Sequence, residues 1–419
     1  MKKLLPVLIA LIITTCCAQA REEGLEEVVL DSLGEGVEIS DDVDINIESY
    51  KKEPKTESSS LPESLFSGET PVPDSEKTLR EKLSDAYHLE IDKIDRPSYL
   101  FKDILTKEYS EKSMMDNIHV WGAHRGHWDY TINGGAENHS NYEFNSINIG
   151  IDGTLKNHVA DFRLMMGIGP RFNHNLTRTM FSDVFLASNK VPHHRFMVGY
   201  MRPKVGMEGG NSAYTLHFLN RSQIARNYGT ARRIGARVIG DYKLIEYELG
   251  GYSSDTYFHQ FFPGGEFVGW VNFKPLGYTN GKYGKLKIGG GIDAGHRTDN
   301  FCVAGAYVGY EYKKLFVNFE WANADGSNGG SSGVQSTKNS TGFYTTIGYR
   351  ITPKLQILAR YDQFDPDKNI RHNNRREYSV GLNYFVKGQA LRLIVNYVFC
   401  QNDSAKDSHR IMLGTQILL

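Results

Sequence analysis

The chain has 419 residues, 40% of them hydrophobic and 12% aromatic, with a formal net charge of −1. Beyond its first 20 residues it has no apolar run approaching the ~20 residues of a spanning helix, which excludes a helical membrane bundle. The near-zero charge hides two opposed parts: residues 1–114 hold 14 basic and 25 acidic side chains, net −11, and residues 115–419 hold 34 and 24, net +10. Parts of opposite sign imply different surroundings.

Residues 1–20 (MKKLLPVLIALIITTCCAQA) read as a signal peptide. Lys2 and Lys3 give a basic start, Leu4 to Ile13 an apolar core, and Ala18-Gln19-Ala20 a small-x-small cleavage site. Removing them leaves Cys302 and Cys400, too few for a disulfide framework.

Residues 21–114 form an acidic segment. Up to residue 74 it is broken by Ser, Pro and Gly and reads as a flexible tail. Residues 75–90 predict a short helix, with Ser75 as N-cap and Leu79, Leu83 and Tyr87 on one face. This part is expected to meet the periplasm or the cell wall.

Residues 115–419 alternate apolar and polar side chains. Leu391, Leu393, Val395, Tyr397 and Phe399 form one such series, and Ile411, Leu413, Thr415, Ile417 and Leu419 the next. A period of two puts each set on one face of a strand. About sixteen such segments, from 117–131 to 409–419, predict an all-β fold: a transmembrane antiparallel barrel with lipid outside and water inside. Tight links such as Lys156-Asn157 and Lys313-Lys314 alternate with longer loops such as 203–231, as an outer-membrane barrel requires; the link 275–283 is the exception. Aromatic residues near strand ends, among them Trp128, Tyr130, Trp321 and Phe399, predict two girdles at headgroup level.

Residues 196–229 (FMVGYMRPKVGMEGGNSAYTLHFLNRSQIARNYG) carry a strand ending in Gly, a basic-Pro-x-x-Gly-x-Glu turn and a long segment reaching Asn-Arg-Ser. Together with Arg125-Gly-His-Trp-Asp129, RYDQFDPD at 360–367 and GLNYFVKGQALRLIVNY at 381–397, this resembles the phosphate-selective porin family, the O/P porins. The resemblance implies an outer-membrane trimer of sixteen-stranded barrels, a third loop folded into each pore, and basic residues along an anion path. At the place of the family's paired arginines in the second strand, this chain has Asn145-Ser146.

An arginine facing lipid costs ~2–4 kcal/mol near the bilayer midplane, so mid-strand arginines should face water. Inward parity selects Arg125, Arg163, Arg195, Arg233, Arg237, Arg350, Arg360, Arg392 and Arg410; all of these but Arg350 and Arg410, with Lys204, Arg221 and Arg226 of the long loop, make up a set of ten. These residues are the candidate pore lining, able to fork onto phosphate or carboxylate oxygens. Inward acids such as Asp152, Glu248, Glu320 and Asp362 offer the competing role of structural ties. The alternative site for the basic excess is the outer loops.

The expected function is passive diffusion of small hydrophilic solutes, with anions such as phosphate preferred. The expected partners are outer-membrane lipid and two further copies of the chain. No converging nucleophile and base is visible, and no cofactor, metal or nucleic acid is expected. A barrel enzyme and a structural barrel tethered through residues 21–114 are the alternatives.

Overall fold

The computed structural model describes residues 98–110, 113–133, 138–167, 181–256, 260–279 and 281–419. The expected signal peptide at 1–20, most of the acidic segment and its expected helix at 75–90 lie outside these residues.

Sixteen long strands form the wall. The first four are β1 (Met115–Asn133), β2 (His139–Leu155), β3 (Asp161–Gly167) and β4 (Phe181–Ser188). They are followed by β5 (His194–Met201), β6 (Arg233–Asp241), β7 (Ile245–Ser253) and β8 (Gly265–Phe273). Next come β9 (Lys285–His296), β10 (Asn300–Tyr312), β11 (Leu315–Ser327) and β12 (Ser336–Thr352). The last are β13 (Leu355–Asp365), β14 (Arg375–Lys387), β15 (Leu391–Asn402) and β16 (Ser408–Leu418). Each pairs antiparallel with its chain neighbours. β16 then pairs with β1, from Ser408↔Asn133 to Leu418↔Ala123, closing the barrel and leaving no edge through this register.

Each segment expected from the period of two overlaps a strand, including those at 117–131 and 265–274. The reason is visible in the faces. On β15, Leu393, Val395 and Tyr397 are exposed to the outside, while Arg392, Ile394 and Asn396 are buried. Aromatic neighbours ring the outer wall: Phe343 lies 5.7 Å from Tyr361, Tyr361 5.1 Å from Tyr378, and Tyr378 5.9 Å from Phe399, centroid to centroid. No described helix is long and apolar enough to cross a membrane.

Seven links (156–160, 189–193, 242–244, 274–284, 313–314, 353–354 and 388–390) lie at one end, together with the start of β1 and the end of β16. The other end carries the loops. Two links depart from the expected alternation: 274–284 is long at the short-link end, and 297–299 is short at the loop end. Residues ahead of β1 already join the wall. Thr106–Glu108 pairs with β1 (Thr106↔His119) just below the last β16 partner, and the Leu100 amide donates to the Leu418 carbonyl at 2.9 Å.

Val380, at mid-strand on β14, faces out. Val380→Arg is expected to lower stability in liposomes by ~2–4 kcal/mol, read from urea unfolding monitored by tryptophan fluorescence.

Candidate functional site

The loop between β5 and β6, residues 202–232, folds into the lumen instead of standing above it. Its local structure follows from its sequence. Pro203 cannot continue a ladder. Gly206 takes φ +72°, and a Cβ there would sit 2.2 Å from Glu320 Oε1. Two short helices follow, α1 (Met207–Gly210) and α2 (Gln223–Tyr228). Ser222 caps α2 through its hydroxyl, which accepts from the Ala225 amide.

A backbone segment inside a barrel must find partners for its peptide groups. Here the wall supplies them. Arg125 Nη2 on β1 donates to the Phe218 carbonyl at 2.6 Å, and Arg392 Nη2 on β15 to the Leu216 carbonyl at 2.9 Å. Asn383 and Gln416 donate to the carbonyls of His217 and Tyr214. Asn396 Oδ1 accepts from the Leu219 amide at 2.8 Å, and Asp362 from the Gln223 amide at 2.7 Å. Glu320 accepts from the amides of Met207 (2.7 Å) and Glu208 (3.3 Å), and its third donor is the Tyr344 hydroxyl.

Glu208 is the loop's own hub. Its carboxylate takes Arg360 of β13 at 2.5 Å and the Ser222 amide at 2.6 Å, while Arg221 donates to its carbonyl and to that of Asn211. Arg226 reaches Glu377 of β14 at 2.6 Å.

The loop also buries apolar groups against inward wall residues. Val205, Ile224 and Tyr228 join Val303, Ala322, Tyr344 and Phe364 in one cluster. Tyr214 packs with Trp121, Ala123 and Met165, and Leu219 with Ile394, Val398 and Met412. A fully buried Leu or Ile is worth ~1.5–3 kcal/mol, so several such contacts make docking favourable as well as satisfied.

The ten expected lining residues thus separate into groups. Arg125, Arg221, Arg226, Arg360 and Arg392 converge on the loop. Four others tie wall strands together: Arg163 to Asp152 (2.8 Å), Arg233 to Glu266 (2.8 Å), Arg237 to Glu248 (2.8 Å) and Arg195 to Asp161 (3.7 Å). Lys204 lines a small cavity between loop and wall with Glu320, Asp293 and Trp270. Arg125, Arg221, Arg233 and Arg392 are each 0% exposed, so they act as anchors and sources of field rather than as an open ladder of donors. Sequence reasoning missed Asn383, Asn396 and Gln416, which charge counting cannot see; their inward parity was the available signal.

His217 is half-buried on the loop, its ring stacked on Phe316 at 4.1 Å. Burial first, then the guanidinium groups of Arg392, Arg360 and Arg350, push its pKa from the ordinary 6.5 down to about 3. The ring is therefore neutral across the physiological range, and the field around it is positive.

The histidines of β1 do not form one site. His119 meets Tyr99 inside the barrel, whereas His124 is bonded to the Tyr142 hydroxyl on the outer wall. His127 Nε2 lies 3.4 Å from Glu143 and 3.7 Å from Asp129, but Arg410 already forks onto the same Asp129 oxygen that a metal would need.

A closed antiparallel barrel with an apolar outer wall and a loop folded into its lumen has the architecture of the porins. Residues 284–418 match the phosphate-selective porin family, porin O and P. The resemblance read from 381–397 falls within this match; that read from 196–229 lies outside it. No curated protein sequence matches the chain. Among solved structures, the anion-selective porin from Comamonas acidovorans aligns at TM-score 0.54 and 13% identity, over 72% of this chain and 99% of that one. Salmonella typhi OmpF, in complex with daunomycin, gives 0.54 and 13% over 72% and 98%, and Pseudomonas putida OprB 0.53 and 8% over 72% and 94%. At these identities the likeness is one of fold.

Two outcomes test the loop's anchoring. Glu208→Ala removes the charged partner of buried Arg360 and should cost ~3–5 kcal/mol of local stability, seen as new trypsin cleavage within 202–232 and a larger single-channel conductance. The unfolded chain protonates His217 near 6.5, and the folded chain only near 3. Its contribution to stability is therefore complete above 6.5 and is lost as pH falls through that window. His217→Gln should flatten this part of the pH dependence of the urea midpoint.

Proposed function

We propose that the chain is a passive, non-catalytic channel whose lumen prefers small anions, with inorganic phosphate or a similar oxyanion as the solute class. The observation that carries this reading is the set of wall guanidinium groups on the folded-in loop: Arg360 and Arg392 donate to the carbonyls of Asn220 and Leu216, and together with Arg350 they disfavour protonation of His217. A water-filled passage beside this group would be at positive potential, which raises the local concentration of anions. The family matched by residues 284–418 supports the same preference. So does the likeness in fold to the anion-selective porin from Comamonas acidovorans.

We also read the outer wall around β1, β2 and β16 as the contact between copies of the chain, in a homo-trimer. Gly122 and Gly126, the bonded pair His124 and Tyr142 (3.2 Å), and Thr415 take outward positions there that elsewhere hold aliphatic side chains. Polar groups at mid-strand are costly against lipid and acceptable against protein.

The zero-current potential across a KCl gradient in a planar bilayer tests the first reading. Chloride selectivity, with conductance partly blocked by added phosphate, is expected, and Arg350→Gln should shift the potential toward zero. Cation selectivity would reject it. For the second, native gel electrophoresis before and after boiling should show a trimer that His124→Asp weakens.

A further inference from the structure

The barrel's basic excess has an unexpected location. Turn by turn along the short-link end, the chain places Lys156 in the first link, Lys190 in the second and Lys243 in the third. The long fourth link holds Lys274 and Lys282, the fifth Lys313 and Lys314. The sixth holds Lys354, and Lys387 borders the seventh. Not one Asp or Glu occurs within these seven links. The links at the loop end, leaving aside the folded-in loop, hold two lysines, Lys368 and Lys406, and four arginines against six carboxylates, and so carry no net excess. Neither expected home of the positive charge, lumen or outer loops, accounts for this ring.

The ring is built for a surface that is apolar on one side and anionic on the other. Its lysines at 156, 190, 243, 282, 313, 354 and 387 are exposed. Several lie over tyrosine rings of the adjoining girdle: Lys243 over Tyr278 (5.3 Å), Lys282 over Tyr283 (5.6 Å) and Lys313 over Tyr312 (5.1 Å). Next to them the outward residues are apolar and exposed, as with Ile245, Phe273, Ile351 and Val386. A lysine in such a place runs its stem along the apolar wall and lifts its ammonium to headgroup level. There a tyrosine hydroxyl and an ammonium together suit a phosphodiester.

We propose that this rim is a binding surface for phospholipids of net negative charge, in the leaflet that meets the short-link end. The inference rests on the barrel standing in an outer membrane with that end toward the periplasm.

The full-length protein, refolded in mixed phosphatidylcholine–phosphatidylglycerol vesicles and then extracted, is examined by native mass spectrometry for retained lipid. Phosphatidylglycerol should be retained over phosphatidylcholine. The combined variant K243Q/K313Q/K354Q should lose this retention by about tenfold or more, since each lysine near an anionic surface contributes a severalfold effect. The control K338Q/K368Q/K406Q, at the loop end, should leave it unchanged. Heat-modifiable mobility in SDS gels reports for each variant whether a membrane barrel has formed, so failure of the porin reading is distinguished from failure of this one. Equal retention of both lipids by the unaltered protein would overturn the proposal, as would equal loss in both combined variants. So would a total lack of retention, which would mean that the chain's own acidic residues, rather than lipid, neutralise the rim.

Discussion

A peptide group taken out of water must be given a partner, and this one constraint organises the lumen. The strands meet it among themselves, because closure of β16 on β1 leaves no edge. The segment 202–232 leaves the sheet and cannot. It therefore draws on side chains of β1, β11 and β13 to β16, which reach inward with guanidinium, amide and carboxylate groups. The polar inner face of the barrel is in large part a set of substitutes for the missing ladder. Its arginines thus do two things at once: they hold the loop's backbone, and they set the potential of the space beside it.

The architecture was open to reading because a period of two is local. Alternation in Leu391 to Phe399 needs no knowledge of any other strand, and the sixteen segments followed from it to within a few residues. The site was legible only by halves. Parity told which arginines face inward, and it did so correctly for Arg125, Arg360 and Arg392, all of which meet the loop. It could not tell what they meet there. Arg125 and Phe218, or Gln223 and Asp362, stand more than ninety positions apart, and nothing in either neighbourhood names the other. Neutral anchors such as Asn396 were hidden for a further reason, since an amide leaves no mark on a charge count.

Net charge misled in a different way. A surplus of ten positive charges over residues 115–419 invites a single location, yet sums carry no position. Strand boundaries were needed to see that most of the arginines and about half of the lysines are sorted: arginine to the interior, where a planar fork can serve two acceptors, and lysine to the short links, where a flexible stem can follow an interface. The two residue types are thus used as different materials.

The loop's anchors also order events in time. Its residues leave the ribosome after β5, but the groups that receive it sit mostly on β11 to β16, and one of the outermost, Gln416, lies three residues from the last. Contacts of such long sequence separation form late. The barrel must therefore assemble first around an undocked loop, as a wider and wetter cylinder, and the constriction is set only when the final strand is in place. Narrowness in this protein is the last property to be acquired, and a chain lacking its C-terminal strand would forfeit closure and constriction together.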